Sequence, residues 1–428
     1  MKILIVSYSC APLNIISSQR INSLAKYLVE LGHTVDLLTG VKHPIDGPVD
    51  AIRQWHDLAA IVGLHEIEFL GRRRAVVGAP GNDEPKPRSW ASRGGLRDAL
   101  KGCRSTLSKL FGALFDYRTI WAVRALMYYK RTLARNGYDF VFTSSGPACV
   151  NLVGAGIKRI SPRVQWIADF RDLWSQLHSS NVTRPTRRAE MLLEKMLLRK
   201  AGKITTVSTH LAEQLKSLHG EIPVQVVRNG FDPAEFADLV ADRGFFAMLG
   251  CEARLNVVYA GSIYEERDPI PLILATARSP LRQHIAIHFF GFNLGSLHKI
   301  QKLEVSDFCH VHPSKPREAI LGIQKAAGIN LLLESGRDDA RGVLTGKLFE
   351  LAAIGRPILS IGPPLHFESM RLLAKTGLHL HWESLQGDVA EMVRRSKELE
   401  PDAACISSLS RAGQFALVPE IAATAHAP

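Results

Sequence analysis

Short apolar runs that stop at small or polar residues recur along this chain, and stretches with helical apolar periodicity separate them. Residues 2–7 form the first run and read as a strand buried on both faces. Residues 19–31 follow with Ile21, Leu24, Ala25, Leu28 and Leu31 on the helical period, Ser17 or Ser18 as the cap and Gly32 as the stop. Residues 34–39 are a second strand. Such a β-α-β opening calls for a parallel, doubly wound sheet. Further strands are expected at 140–143, 164–168, 204–207 and 224–227. The alternation then restarts at 255–260, 285–290, 329–333 and 357–361, with a helix over 347–354. The expected fold is α/β, with two Rossmann-like doubly wound parallel-sheet domains facing a central cleft. The first domain spans 1–232 and the second 233–400. Residues 401–428 form a helical tail placed to pack back on the first domain.

Charge is distributed unevenly. Lys and Arg number 53 against 41 Asp and Glu, a net +12, and 15 basic residues against four acidic ones fall between 70 and 135. Residues 78–95 of that insertion are rich in Gly, Pro, Arg and Ser and read as a loop. Beyond them Leu96, Leu100, Leu107, Leu110, Phe111, Leu114 and Phe115 recur at near-helical spacing, and a long helical stretch runs to about Arg135. A basic amphipathic helix lies on an anionic membrane surface or buries its apolar face and solvates the basic one; both readings stand. Nucleic acid is not expected, because no aromatic-basic platform or finger spacing accompanies the charge. No apolar run nears the ~20 residues that span a bilayer. The first six residues lack the apolar stretch and cleavage site of a signal peptide. Six scattered cysteines without a CxxC pair point to a reducing compartment, with no disulfide framework or zinc site. The 16 histidines show no HExxH spacing, so no metal is expected.

Ligands of open α/β sheets bind outside the carboxyl ends of the strands, which makes the polar residues just after each strand the candidates. Thr345-Gly346-Lys347-Leu348-Phe349-Glu350 opens a helix whose free N–H groups attract phosphate, with Lys347 adding a full charge and Glu350 one turn inside to accept from a ribose diol. Gly261-Ser262 after its strand is a phosphate-cradle turn, and Arg267 offers a planar fork to a diphosphate. Glu334 begins a charged loop running to Arg341. Asp169-Phe170-Arg171-Asp172 sets three charges at a strand end, placed to orient a hydroxyl or accept a proton, or to pair locally. Arg20 opposes the dipole of the first helix, which calls for an anion ligand or an acid elsewhere. A capped helix with solvated ends would satisfy several of these patterns equally well.

The order of these elements carries a resemblance. Gly32-His33-Thr34-Val35, Ser144-Ser145-Gly146-Pro147, Asp169 to Trp174 and Arg228-Asn229-Gly230-Phe231-Asp232 occur in the first half. Gly261-Ser262-Ile263-Tyr264, Arg267-Asp268-Pro269 and Gly346 to Glu350 occur in the second. Over some 360 residues the chain resembles the retaining glycosyltransferase 4-like family of GT-B enzymes. The resemblance implies a nucleotide-diphosphate-sugar donor held by the second domain and a glycan or lipid-linked acceptor. Donor binding would fall to Gly261, Ser262, Arg267, Glu334, Thr345, Gly346, Lys347, Leu348 and Glu350. Asp169, Arg171 and Lys347 would be catalytic; Ser17, Arg20, Ser145, Asp172 and Asn229 would line the acceptor side. Transfer would retain configuration with no cofactor or metal. The enzyme would serve cell-surface polysaccharide synthesis, cytoplasmic and peripheral on the inner face of the membrane. Gly342 stands where the family carries the first of two glutamates. A nucleotide-sugar epimerase of the same fold, or a non-catalytic membrane-associated relative, are the other readings.

Overall fold

The computed structural model describes residues 1–428 except 14, 43–45, 47–48, 50, 69–117, 177–181, 264–266, 292–299, 301–304 and 424–428. The loop expected at 78–95 and the amphipathic pattern at 96–115 lie outside the described residues. The chain divides into two units. The first comprises Met1–Val207, Leu211–Val226 and Val418–Pro428; the second comprises Ser208–His210 and Val227–Leu417.

The first unit runs β1 (Lys2–Val6), α1 (Ile16–Glu30), β2 (Thr34–Gly40), α2 (Ile52–Ile61), β3 (Gly63–Ile67) and α3 (Arg118–Tyr128). It continues with β4 (Phe140–Ser145), α4 (Val150–Ile160), β5 (Gln165–Phe170), α5 (Arg184–Leu198), β6 (Lys203–Thr206), α6 (Thr209–His219) and β7 (Val224–Val226). Its seven strands pair in the order β3-β2-β1-β4-β5-β6-β7, all parallel. Ile5 sits between Leu37 and Phe142 in register, fully buried like both neighbours. Helices cover both faces of such a sheet, so its central strands are apolar on both sides. On one face Trp121, Ala125 and Tyr129 join Val150 and Val153 over Leu4, Val6 and Val141. Truncating Leu4 to alanine costs about 2–5 kcal/mol.

The second unit repeats the plan with β8 (Leu255–Ala260), α7 (Ile270–Arg278), β9 (Ile285–Phe290), β10 (Cys309–His312), α8 (Arg317–Ala326) and β11 (Ile329–Leu333). Then come α9 (Gly346–Ile354), β12 (Ile358–Ile361), α10 (Glu368–Lys375), β13 (His379–His381), α11 (Val389–Ser396) and α12 (Ala403–Ser408), followed by α13 (Arg411–Ala423), which belongs to the second unit up to Leu417 and to the first from Val418. The six parallel strands run β10-β9-β8-β11-β12-β13. Strand order reverses between β1 and β4 in one sheet and between β8 and β11 in the other, and these switch points are where open sheets bind ligands.

Two expectations change. Neither Ser17 nor Ser18 caps α1, which begins at Ile16 behind Ile15 with no side-chain cap; both serines are buried inside its first turn. Cys10, Ala11 and Leu13 in the preceding loop are buried, which draws the helix start inward with them. The long helix expected to reach Arg135 is α3 followed by a π-turn at Tyr129–Leu133 and a 3-10 turn at Ala134–Asn136, ended by left-handed Gly137. No helix among the described residues is long and apolar enough to cross a membrane.

Candidate functional site

The switch point of the second sheet gathers most of the residues assigned to the donor. Gly261 follows β8 with φ +141, a conformation that L side chains rarely adopt. A Cβ there would lie 1.8 Å from Lys347 Nζ, so glycine is what lets the lysine cross this turn. Lys347 Nζ stands 4.6 Å above the Tyr259 ring centroid and donates to Tyr259 Oη at 3.2 Å; that hydroxyl donates to the Ser262 carbonyl at 2.8 Å. Ser262 itself is exposed and Arg267 half-buried. Burial, then the neighbouring Arg267, pulls the Lys347 pKa down to about 8, against the opposing pull of Glu334 and Glu350.

The start of α9 is left open to a ligand. Its N-cap Thr345 makes no capping bond; the hydroxyl donates instead to Glu334 Oε1 at 2.5 Å. The helix has no acid in its first turn, and a Cβ on Gly346 would meet nothing within 4 Å. The free N–H groups and positive end of α9 therefore add to the charges of Lys347 and Arg267. Glu334 is 6% exposed just after β11. Burial raises its pKa, and the Thr345 bond, Arg267, Lys347 and Ser369 oppose that rise. Leu348 is fully buried, anchoring the helix in the core rather than facing a ligand. Glu350 pairs with Arg317 at 2.9 Å, and Arg317 in turn with Glu235 at 2.7 Å. Tyr259, inside an apolar strand, and Arg317, at an ordinary helix start, carry no sequence signal of a place in this cluster. Gly342 sits with its would-be Cβ 2.8 Å from the His210 ring.

The first unit departs from expectation at Asp169. Its carboxylate is fully buried and accepts from Arg20 Nε (3.2 Å) and Nη2 (2.8 Å), Ser144 Oγ (3.0 Å) and Thr205 Oγ1 (2.9 Å). Arg20 is 2% exposed and finds in Asp169 the acid that its place in α1 called for. Neither side chain faces open space, so the pair clamps α1, β4, β5 and β6 together rather than presenting charge to a sugar. Arg171 is half-buried at the end of β5, its Nε donating to the Ser145 carbonyl at 3.3 Å and its guanidinium against Gly146. Burial lowers its pKa, with Asp172 and Asp169 pulling the other way. Ser145 and Ser17 are buried, whereas Asp172 is exposed. Asn229 belongs to the second unit, half-buried in a segment whose Phe231 exchanges backbone hydrogen bonds with Leu409 and Arg411. The loop beyond Asp172 is tied to α5 by carboxylates that the sequence analysis left out: Glu190 accepts from Trp174 Nε1 and Glu194 from the Ser175 amide. Among the described residues no three His, Cys, Asp or Glu side chains group so as to hold a metal ion.

A sequence model described as the glycosyl transferase 4-like domain matches residues 17–230, half of the chain. The chain belongs to the glycosyl transferase 4-like family. It is a glycosyltransferase with the GT-B fold of two Rossmann-like units. No curated protein matches it by sequence. Solved structures match through the fold. Alr3699/HepE from Anabaena, in complex with UDP and glucose, is 14% identical with a TM-score of 0.60, covering 99% of this chain and 100% of its own. A glycosyltransferase from Rickettsia africae is 13% identical with a TM-score of 0.58, covering 99% and 98%. The apo lipopolysaccharide outer core galactosyltransferase WaaB is 11% identical with a TM-score of 0.57, covering 100% of both chains. The Lys347 cluster of this glycosyltransferase lies beyond the stretch matched by the family, in the second unit.

Proposed function

We propose that this glycosyltransferase takes a uridine diphosphate sugar and transfers the sugar with retention to a glycan or lipid-linked acceptor. The UDP and UDP-glucose complexes of Alr3699/HepE support the uridine donor. The observation that carries the reading is Lys347 laid across Gly261 beside an uncapped α9. A sugar–phosphate bond breaks when negative charge gathers on the departing diphosphate. The helix end, Lys347 and Arg267 are already set around the place where that charge develops, so little reorganisation is needed during the reaction. The reading calls on no resident cofactor or metal. Glu350, steadied by Arg317, accepts from the ribose hydroxyls, and Glu334 orients Thr345 at the helix start. Arg171 and Asp172, charged at the end of β5, serve the acceptor. Asp169 and Arg20 act through the framework. The product belongs to cell-surface polysaccharide synthesis, made by an enzyme peripheral on the inner face of the cytoplasmic membrane.

A thermal-shift series with UDP, GDP and ADP tests the donor. A ligand at a hundred times its Kd stabilises the folded state by about 2.7 kcal/mol. UDP is expected to raise the melting temperature of the wild type and to lose most of that effect with Lys347→Ala. An equal shift in both proteins, or none with any nucleotide, refutes the assignment.

A further inference from the structure

The helix layer on one face of the first sheet carries two exposed apolar ridges. α5 sets Leu193, Leu197 and Leu198 on the core but also turns two acids inward and two apolar side chains outward. Glu190 and Glu194 point inward at 7% and 1% exposure, while Leu192 and Met196 stand 70% and 60% exposed. The inward acids have partners: Trp174, the Ser175 amide and His219, the last at 3.0 Å. Arg188, Lys195, Arg199 and Lys200 are exposed around the outward pair. On α3, Ile120, Val123 and Met127 are about half exposed at i, i+3 and i+7, with Arg124, Lys130 and Arg131 exposed nearby. α4 packs against both helices and ends in Lys158 and Arg159. Residues 118–136 and 150–160 contain no acid, and those of α5 are buried. Basic and aliphatic groups thus share one surface with no exposed carboxylate on its three helices.

We propose that this α3–α4–α5 face docks on an anionic lipid bilayer, with Leu192 and Met196 entering the acyl boundary and the surrounding basic side chains meeting lipid phosphates. The inference deepens the membrane placement proposed above and assigns it to folded helices of the first unit. Aliphatic side chains ringed by Lys and Arg are what an interfacial helix presents. A nucleic acid would be met by stacking rings, and the large hydrophobic side chains exposed on α3 and α5 are all aliphatic.

The test is sedimentation of the full chain with vesicles of phosphatidylcholine alone, or mixed with phosphatidylglycerol, at low and high salt. Binding is expected only to the mixed vesicles and to weaken as salt screens it. Arg188→Gln with Lys195→Gln should lower partitioning about 25-fold, at about fivefold per charge. Leu192→Ser with Met196→Ser should lower it roughly tenfold. All four side chains are exposed, so melting temperatures should match the wild type, and the UDP-induced shift should persist in both variants. That shift is independent of docking, so a failed donor assignment leaves this result readable. The proposal is overturned if the wild type ignores anionic vesicles, if both variants bind as it does, or if only the charge variant weakens, which would mean a polyanion contact without insertion. Preferential binding of an oligonucleotide over the mixed vesicles overturns it as well.

Discussion

Replacing Asp169 by Asn separates a framework role from a catalytic one. In the native protein four donors converge on this carboxylate, and the guanidinium of Arg20 is almost wholly shielded from water. The substitution keeps shape but removes the charge, leaving Arg20 buried and uncompensated. Breaking a buried pair from one side costs about 3–5 kcal/mol. The hydroxyls of Ser144 and Thr205 each stand to lose an acceptor worth about 1 kcal/mol, though these losses overlap with the first and do not simply add. A net loss of about 4 kcal/mol is expected, which for a unit of this size lowers the melting temperature by roughly 8–16 °C. Urea unfolding followed by circular dichroism measures it. Changing both partners, as Arg20→Met with Asp169→Leu, should recover much of the loss because no charge is left stranded. UDP binding should survive, since the proposed donor residues Gly261, Arg267 and Lys347 belong to the second unit. If Asp169→Asn unfolds within about 0.5 kcal/mol of the wild type yet abolishes turnover, the carboxylate is a reacting group and the framework argument fails.

Two pH responses follow from groups held away from their ordinary titration. In the proposed donor site Lys347, at about 8 in the free protein, is a cation for the diphosphate only when protonated, so UDP affinity should hold at pH 7 and fall as pH rises past 8; calorimetric titrations at pH 7 and 9.5 that agree would remove Lys347 from the proposed site. His288 is fully buried on β9 against the rings of His310 and His312 on the neighbouring strand, at 5.1 and 5.4 Å, and burial followed by the charges of His310, His312 and Arg254 pushes its pKa down to about 3. The unfolded chain takes up that proton near pH 6.5 while the folded protein refuses it, so stability is full above 6.5 and is lost as pH falls toward 3. Between pH 6.5 and 5 the loss is about 2 kcal/mol for one such group. Urea midpoints at pH 7 and 5 should differ less in His288→Leu than in the wild type, and equal differences would refute the account.

The sequence by itself determined the two parallel sheets and the residues after their strands. β1, β8, β9 and β11 are buried along nearly their whole length and are built mostly of apolar residues, and such runs are visible without a fold. The edge strands β3, β10 and β13 were not legible. They are short, half solvated and built from Gly-Leu-His-Glu-Ile, Cys-His-Val-His and His-Leu-His, and they become strands because a neighbour offers unpaired backbone. Gly261 and Lys347 were both marked as donor residues, but their contact depends on β8 and the start of α9 converging at a switch point, which local sequence does not encode. Asp169 is the clearest case. A carboxylate at a strand end reads the same whether it meets substrate or a buried arginine, and the partner that decides, Arg20, lies 149 residues away along the chain. Burial and charge pairing are properties of neighbours in space, so only the tertiary structure could assign that residue to the framework.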